Sequence, residues 1–122
     1  PIAGRSENPE ILEEAYKRMH GVLENGDVLG VFPEGKITHD GEINPFKPGI
    51  DRVIAKQAVS VVPVALCNLW GSLFSRRDPL HKRRPYKFWA NIEVRVGKPI
   101  EPENFSAEAL QKAVEELRGQ DR

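Results

Sequence analysis

The chain has 122 residues, 39% of them apolar, and its 18 basic and 18 acidic side chains give zero net charge; that length and composition suit one globular domain with a core and exclude intrinsic disorder. Its single cysteine, Cys67, excludes an internal disulfide, and no second thiol or histidine cluster at ligand spacing accompanies it, so no metal site is expected. It begins at Pro1 without a leader-like pattern, so the expectation is a reducing, cytosolic setting and a piece of a longer chain.

Residues 1–8 read as a lead-in loop, with Asn8 as N-cap and Pro9 as the first helical residue. Ile11, Leu12, Ala15, Tyr16, Met19, Val22 and Leu23 recur at three- and four-residue spacing, which predicts an amphipathic helix of about four turns. Tyr16 and Met19 are expected in its packed stripe, and Asn25-Gly26 supplies a left-handed stop. Asp27 to Phe32 is a short apolar run without alternation, the pattern of a central strand covered on both faces. From Pro33 to Gly49 three prolines, three glycines and the lack of any period predict a long ordered loop.

Ile50, Val53, Ile54 and Ala58 predict a short helix opening after Pro48-Gly49, with Asp51 set favourably against its dipole. Val59 to Leu66 reads as a second buried strand in which Pro63 removes a ladder donor, so that strand lies at an edge or carries a bulge. The uncharged stretch Gln57–Ser75 has nineteen residues, close to a membrane-spanning length. Gln57, Ser60, Pro63, Asn68, Gly71 and Ser72 interrupt it, and its apolar part has the length of a strand, with Cys67 as a small buried residue beside it.

Asn68 to Lys87 mixes Leu69, Trp70, Leu73 and Phe74 with Arg76, Arg77, Lys82, Arg83, Arg84 and Lys87, has no clear period, and reads as an insertion or loop. Residues 52–100 hold ten bases and two acids, whereas residues 1–51 hold five bases and ten acids, so the middle of the chain points to an anionic partner surface. Phe88 to Val96 alternates, Ile92, Val94 and Val96 facing one way and Asn91, Glu93 and Arg95 the other, as in a half-exposed strand. Ser106 caps a last helix with Leu110, Ala113, Val114 and Leu117 on its stripe. Helix, strand, helix, strand, strand, helix predicts an α/β layered sandwich with a mixed, partly parallel sheet.

The turn that ends the first apolar run concentrates chemistry: the Glu34 carboxylate, a flexible Gly35, the Lys36 ammonium and the Thr38 hydroxyl. Lys47 stands just before a helix start, and Lys36, Lys47 and the N–H groups near residues 49–52 can together hold a phosphate. Taken alone, a plain surface turn is the commoner meaning of Pro-Glu-Gly-Lys.

Phe32-Pro33-Glu34-Gly35, then Phe46-Lys47-Pro48-Gly49, then Val61-Val62-Pro63-Val64-Ala65 together resemble, in order and spacing, the third and fourth sequence blocks of the PlsC-type glycerolipid acyltransferase superfamily. Leu69-Trp70-Gly71-Ser72 looks most like the bacterial members that re-acylate lysophospholipids. The resemblance implies transfer of a fatty acyl group from an acyl-ACP or acyl-CoA thioester to glycerol phosphate or a lysophospholipid, with no bound cofactor. It implies a His-x-x-x-x-Asp pair as oriented general base, which His20, His39 and His81 do not form because asparagine or tyrosine stands at the Asp position. Residues 1–122 then read as the C-terminal, acceptor-binding portion of an incomplete acyltransferase domain, with no catalytic residue and no turnover alone.

By the same resemblance Phe32, Pro33, Glu34, Gly35, Lys36, Thr38 and Lys47 belong to the substrate-binding block. The family's Thr-Arg-Ser after Glu-Gly is Lys36-Ile37-Thr38 here, so Ile37 stands where a phosphate-binding arginine is usual; either Lys36 serves instead or the acceptor head group differs. The Pro63 strand is implied to lie beside the site on its acyl side. Trp70, Phe74, Arg76, Arg77, Arg83 and Arg84 suit contact with a membrane surface or the acyl donor, at the cytoplasmic face of the membrane; an acidic acyl carrier protein is a rival partner for this patch, and no nucleic acid is expected. The alternative from another class is a noncatalytic lipid- or phosphate-binding module.

Overall fold

The computed structural model describes residues 9–38, 40–70 and 91–121. Helix α1 runs Pro9–Glu24, α2 Gly49–Lys56 and α3 Ala107–Arg118, with strands β1 Val64–Cys67 and β2 Glu93–Val96 and a 3-10 turn at Pro102–Asn104. Proline opens α1 where its missing N–H costs nothing, and Gly26 ends it with φ +79°. The Ser106 hydroxyl accepts from the Ala109 N–H at 3.0 Å and so caps α3.

α1 and α2 meet through side chains one turn apart. The Arg52 guanidinium ion-pairs with Glu13 and lies 4.3 Å above the Tyr16 ring centroid, a cation–π contact; the hydrogen bond to Glu13 raises the Arg52 pKa. His20 is buried, its Nδ1 3.3 Å from Gln57 Oε1, and Tyr16 is half-buried with its hydroxyl against Gly49. Ile11 and Leu12, on the expected apolar stripe, are exposed.

β1 and β2 pair antiparallel, Val64 opposite Val96 and Cys67 opposite Glu93. The ladder resumes at Val61 opposite Ile100, so Val62 and Pro63 stand opposite three residues, Gly97 to Pro99. That extra residue is a bulge, and it places Pro63, which has no N–H to give, where only its carbonyl is used, by Gly97 N–H at 2.9 Å. The bulge lies on the facing strand and not in the Pro63 strand, where one was expected; among the described residues the Pro63 strand is an edge, the other alternative.

The expected central strand Asp27–Phe32 does not form. Val28 is 95% exposed and Phe32 83%, because an apolar run becomes a strand only beside a neighbour that takes its hydrogen bonds. The second strand is shorter than Val59–Leu66 and is not covered on both faces: Ala65 and Cys67 are buried on the α3 side, while Val64 and Leu66 are open. β2 likewise turns Val94 and Val96 outward. Among the described residues the sheet has two antiparallel strands and no parallel pair, in place of the expected mixed sheet. Among the described residues the buried apolar side chains are Val53 and Ile54 of α2, Ala65 and Cys67 of β1 and Leu110 of α3, which accounts for the small residue expected at Cys67.

Arg95 ties β2 to the end of α3. Its guanidinium donates to the carbonyls of Leu117 and Arg118 at 3.0 and 3.3 Å, to Glu93 and, at 2.7 Å, to Asp121, placing a cation at the helix C-terminus. Arg95 is held charged, and the hydrogen bond from Arg95 lowers the Glu93 pKa below the usual glutamate value. A lowered folded pKa means that this contribution is complete above the unfolded value of about 4.3 and disappears as the pH falls through the folded one. The urea midpoint is accordingly expected to drop on acidification below about pH 4.3, less steeply for Glu93→Gln; equal slopes would show that the pair adds nothing.

No helix of the described residues is long and apolar enough to cross a membrane. Phe74, Arg76, Arg77, Lys82, Arg83, Arg84, Lys87 and Trp89 lie outside the described residues, as do Asn8, His39 and His81.

Candidate functional site

The Phe32–Gly35 turn closes with a Gly35 N–H bond to the Phe32 carbonyl at 3.2 Å and needs glycine at its end, where φ is +64°. The carboxylate of Glu34 then reaches across the loop: the Asn44 N–H and Nδ2 both donate to Oε2, at 2.7 and 3.0 Å. Three residues on, the Lys47 N–H donates to the Pro33 carbonyl at 2.9 Å. The turn and the segment 44–47 thus form one clasp.

Lys47 lays its side chain along Gly35, where an added Cβ would fall 2.8 Å from Nζ. Gly35 therefore serves twice, for its backbone angle and for the close approach of an ammonium. Lys36 is exposed and makes no hydrogen bond or ion pair among the described residues. The Thr38 hydroxyl donates to Asp40 Oδ1 at 2.8 Å, and the same oxygen accepts from the Glu42 N–H at 3.0 Å, so Thr38 shapes the next turn. Ile37 is exposed.

Of the residues expected here, Pro33, Glu34, Gly35 and Lys47 come together, Lys36 follows the turn in sequence and is exposed, and Phe32 projects into solvent. Trp70 is the one described member of the second group, and its ring lies against Gly41, where an added Cβ would stand 2.7 Å from Cγ. Gly41 has φ +85°, and the Asp40-Gly41 pair was a sequence signal for such a turn.

Asn44, Gln111 and Arg118 escaped sequence reasoning. Gln111 Oε1 accepts from the Phe46 N–H at 3.0 Å; Arg118 donates to the Gly41 carbonyl and to Glu42, both at 2.9 Å. Glutamine and arginine on a charged helix carry no mark of a partner 65 to 77 residues away. Chemically the clasp offers the Lys47 ammonium beside a glycine turn, with the exposed Lys36 next in sequence, groups suited to an anionic oxygen cluster such as a phosphate. No group of acidic, histidine or cysteine side chains fit for a metal occurs among the described residues.

The acyltransferase family model matches residues 3–67, more than half of the chain and the whole of the clasp. The 1-acyl-sn-glycerol-3-phosphate acyltransferase of Saccharomyces cerevisiae is 29% identical over 118 residues, covering 95% of this chain and 37% of the yeast protein. A chloroplastic 1-acyl-sn-glycerol-3-phosphate acyltransferase of Brassica napus, BAT2, is 36% identical over 59 residues, 48% of this chain and 17% of that one. A probable 1-acyl-sn-glycerol-3-phosphate acyltransferase of Mycoplasma pneumoniae is 28% identical over 96 residues, 75% of this chain and 35% of its own. The chain spans little more than a third of the length of these relatives, and less of the plant protein. No solved structure matches it significantly. By the span of that match and the clasp it encloses, the chain belongs to the acyltransferase family, in the PlsC-type glycerolipid superfamily.

Proposed function

We propose that this chain is the acceptor-binding portion of a longer enzyme that moves a fatty acyl group from an acyl-ACP or acyl-CoA thioester to a lysophospholipid of the 1-acylglycerol 3-phosphate type. The acceptor hydroxyl attacks the thioester carbonyl, an ester forms, the carbon–sulfur bond breaks, and the hydroxyl proton passes to a base and on to the departing thiolate. That base, the histidine of a His-x-x-x-x-Asp pair, belongs to polypeptide upstream of this stretch. The single observation that carries the reading is the clasp itself, a glycine turn locked to Asn44 and Lys47, with the Lys47 side chain along Gly35. Lys36 and Lys47 take the acceptor phosphate, and Ile37 leaves the neighbouring position apolar. Glu34, a carboxylate, repels a phosphate and acts by holding the turn.

The open faces of β1 and β2 support a second part of the proposal, a wider layered α/β sheet completed by upstream polypeptide. Val64, Leu66, Val94 and Val96 form a contiguous apolar surface of the kind that other chain covers in a finished domain. The enzyme works at the cytoplasmic face of the membrane, where the charges of Arg76, Arg77, Arg83 and Arg84 suit anionic lipid.

The test is to express the chain with its natural upstream segment and assay acyl transfer to lysophosphatidic acid from both donors. Turnover by the longer protein and none by residues 1–122 is expected. A longer protein that carries the His-x-x-x-x-Asp pair and transfers nothing would overturn the reading, and binding of lysophosphatidic acid by a parent without the pair would leave the noncatalytic module. In the longer protein Val64→Cys is expected to resist thiol reagents that modify it in the 122-residue chain; equal modification would remove the wider sheet.

A further inference from the structure

The family match ends at residue 67, yet the acceptor clasp is held from beyond it. We infer that α3 is the positioning element of the acceptor site, acting through Arg118 and Gln111. This rests on the clasp's being the acceptor site.

Loop 40–47 has few means of holding its own shape, since it contains no helix or strand. Arg118, with a side chain only 14% exposed, grips its first bend by the Gly41 carbonyl and the Glu42 carboxylate, and the Trp70 ring lies against Gly41. Gln111, two turns earlier on the same helix, accepts from the Phe46 N–H, beside Lys47. The residues between those two points include Asn44, which holds Glu34. α3 thus fixes both ends of the segment that faces the Glu34 turn.

A helix can act as a reference only if it is itself fixed, and α3 is fixed at both ends. Asp51 of α2 accepts from the Ala107 N–H at 2.9 Å, so the acid expected to serve its own helix also serves the start of α3. Arg95 binds the last carbonyls, and the Asn68 N–H meets the Asp121 carbonyl at 3.2 Å. The Arg118 Nε is buried without a hydrogen-bond partner, so the guanidinium is held for what its two outer nitrogens reach.

The variants belong in the longer, active enzyme. Arg118→Met keeps the apolar stem and removes the two grips; Gln111→Leu removes the other. Each is expected to raise the KM for lysophosphatidic acid about tenfold, the loss of one or two charge-assisted or buried hydrogen bonds, with the KM for the acyl donor and the kcat unchanged. Arg118→Lys, which keeps one grip, recovers part of the loss. A fall in kcat with both KM values unchanged means fewer folded molecules and overturns the inference, as does an unaltered acceptor KM. Lys47→Ala separates the two failures: if it too leaves the acceptor KM unaltered, the acceptor reading of the clasp is wrong; if it raises that KM while both α3 variants do not, only the role of α3 is.

Discussion

Replacing Glu34 by alanine in the longer enzyme is expected to lower kcat/KM for lysophosphatidic acid about 10²-fold, whereas Glu34→Gln loses only a few-fold. Both donors of Asn44 converge on one oxygen, Oε2, and a glutamine carbonyl can occupy that place. Alanine leaves the two donors without their acceptor, which costs about 1–3 kcal/mol where water cannot replace it. The larger effect is positional. Without the Glu34–Asn44 link the turn keeps, among the described residues, the Lys47 N–H bond and the Lys47 side chain along Gly35 as its ties to segment 44–47, and a displacement of about 1 Å in a positioning group can cost about 10² in rate. Steady-state kinetics of the two variants decide the matter: if glutamine is as damaging as alanine, the negative charge itself is used and Glu34 is more than a strut.

Gly41→Ala is expected to destabilise the protein by about 2–5 kcal/mol, against about 1–2 kcal/mol for Gly26→Ala. Both glycines have left-handed backbones, φ +85° and +79°, so both substitutions carry the same cost of roughly 1–2 kcal/mol for an L side chain there. Their surroundings differ. A Cβ at Gly26 meets nothing within 4 Å, while one at Gly41 stands 2.7 to 3.0 Å from three atoms of the Trp70 ring. An indole ring seated on backbone cannot swing aside as a lysine tip can, and overpacking of this kind costs about 1–3 kcal/mol more. Urea denaturation of the two variants measures the difference. Equal losses would mean that Trp70 moves freely and does not cover the loop.

These two positions also mark how far the sequence could be read. Pro9, Gly26 and Ser106 stand where their local chemistry put them, because a cap or a left-handed stop is satisfied within a few residues. The same locality made the Glu34-Gly35 turn visible, and the linked blocks at Phe46–Gly49 and Val61–Ala65 brought the family, to which the chain does belong. Asp27–Phe32 was misread for the opposite reason. Its residues are those of a buried strand, but a strand exists only when another chain segment accepts its hydrogen bonds, and Val28 and Phe32 stand in solvent instead.

What the sequence determined by itself is therefore everything that a few neighbouring residues settle: where helices begin and stop, which turn requires glycine, and which residues cluster into the family's motif. Tertiary structure alone decided that Glu34 is bound to Asn44, that Lys47 lies along Gly35, that Trp70 seats on Gly41, and that Arg118 and Gln111 reach back across more than sixty residues to the same loop. The last two pairings come from α3, which packs against β1, and no spacing along the chain encodes which of ten arginines or three glutamines will face a given loop group once that packing forms.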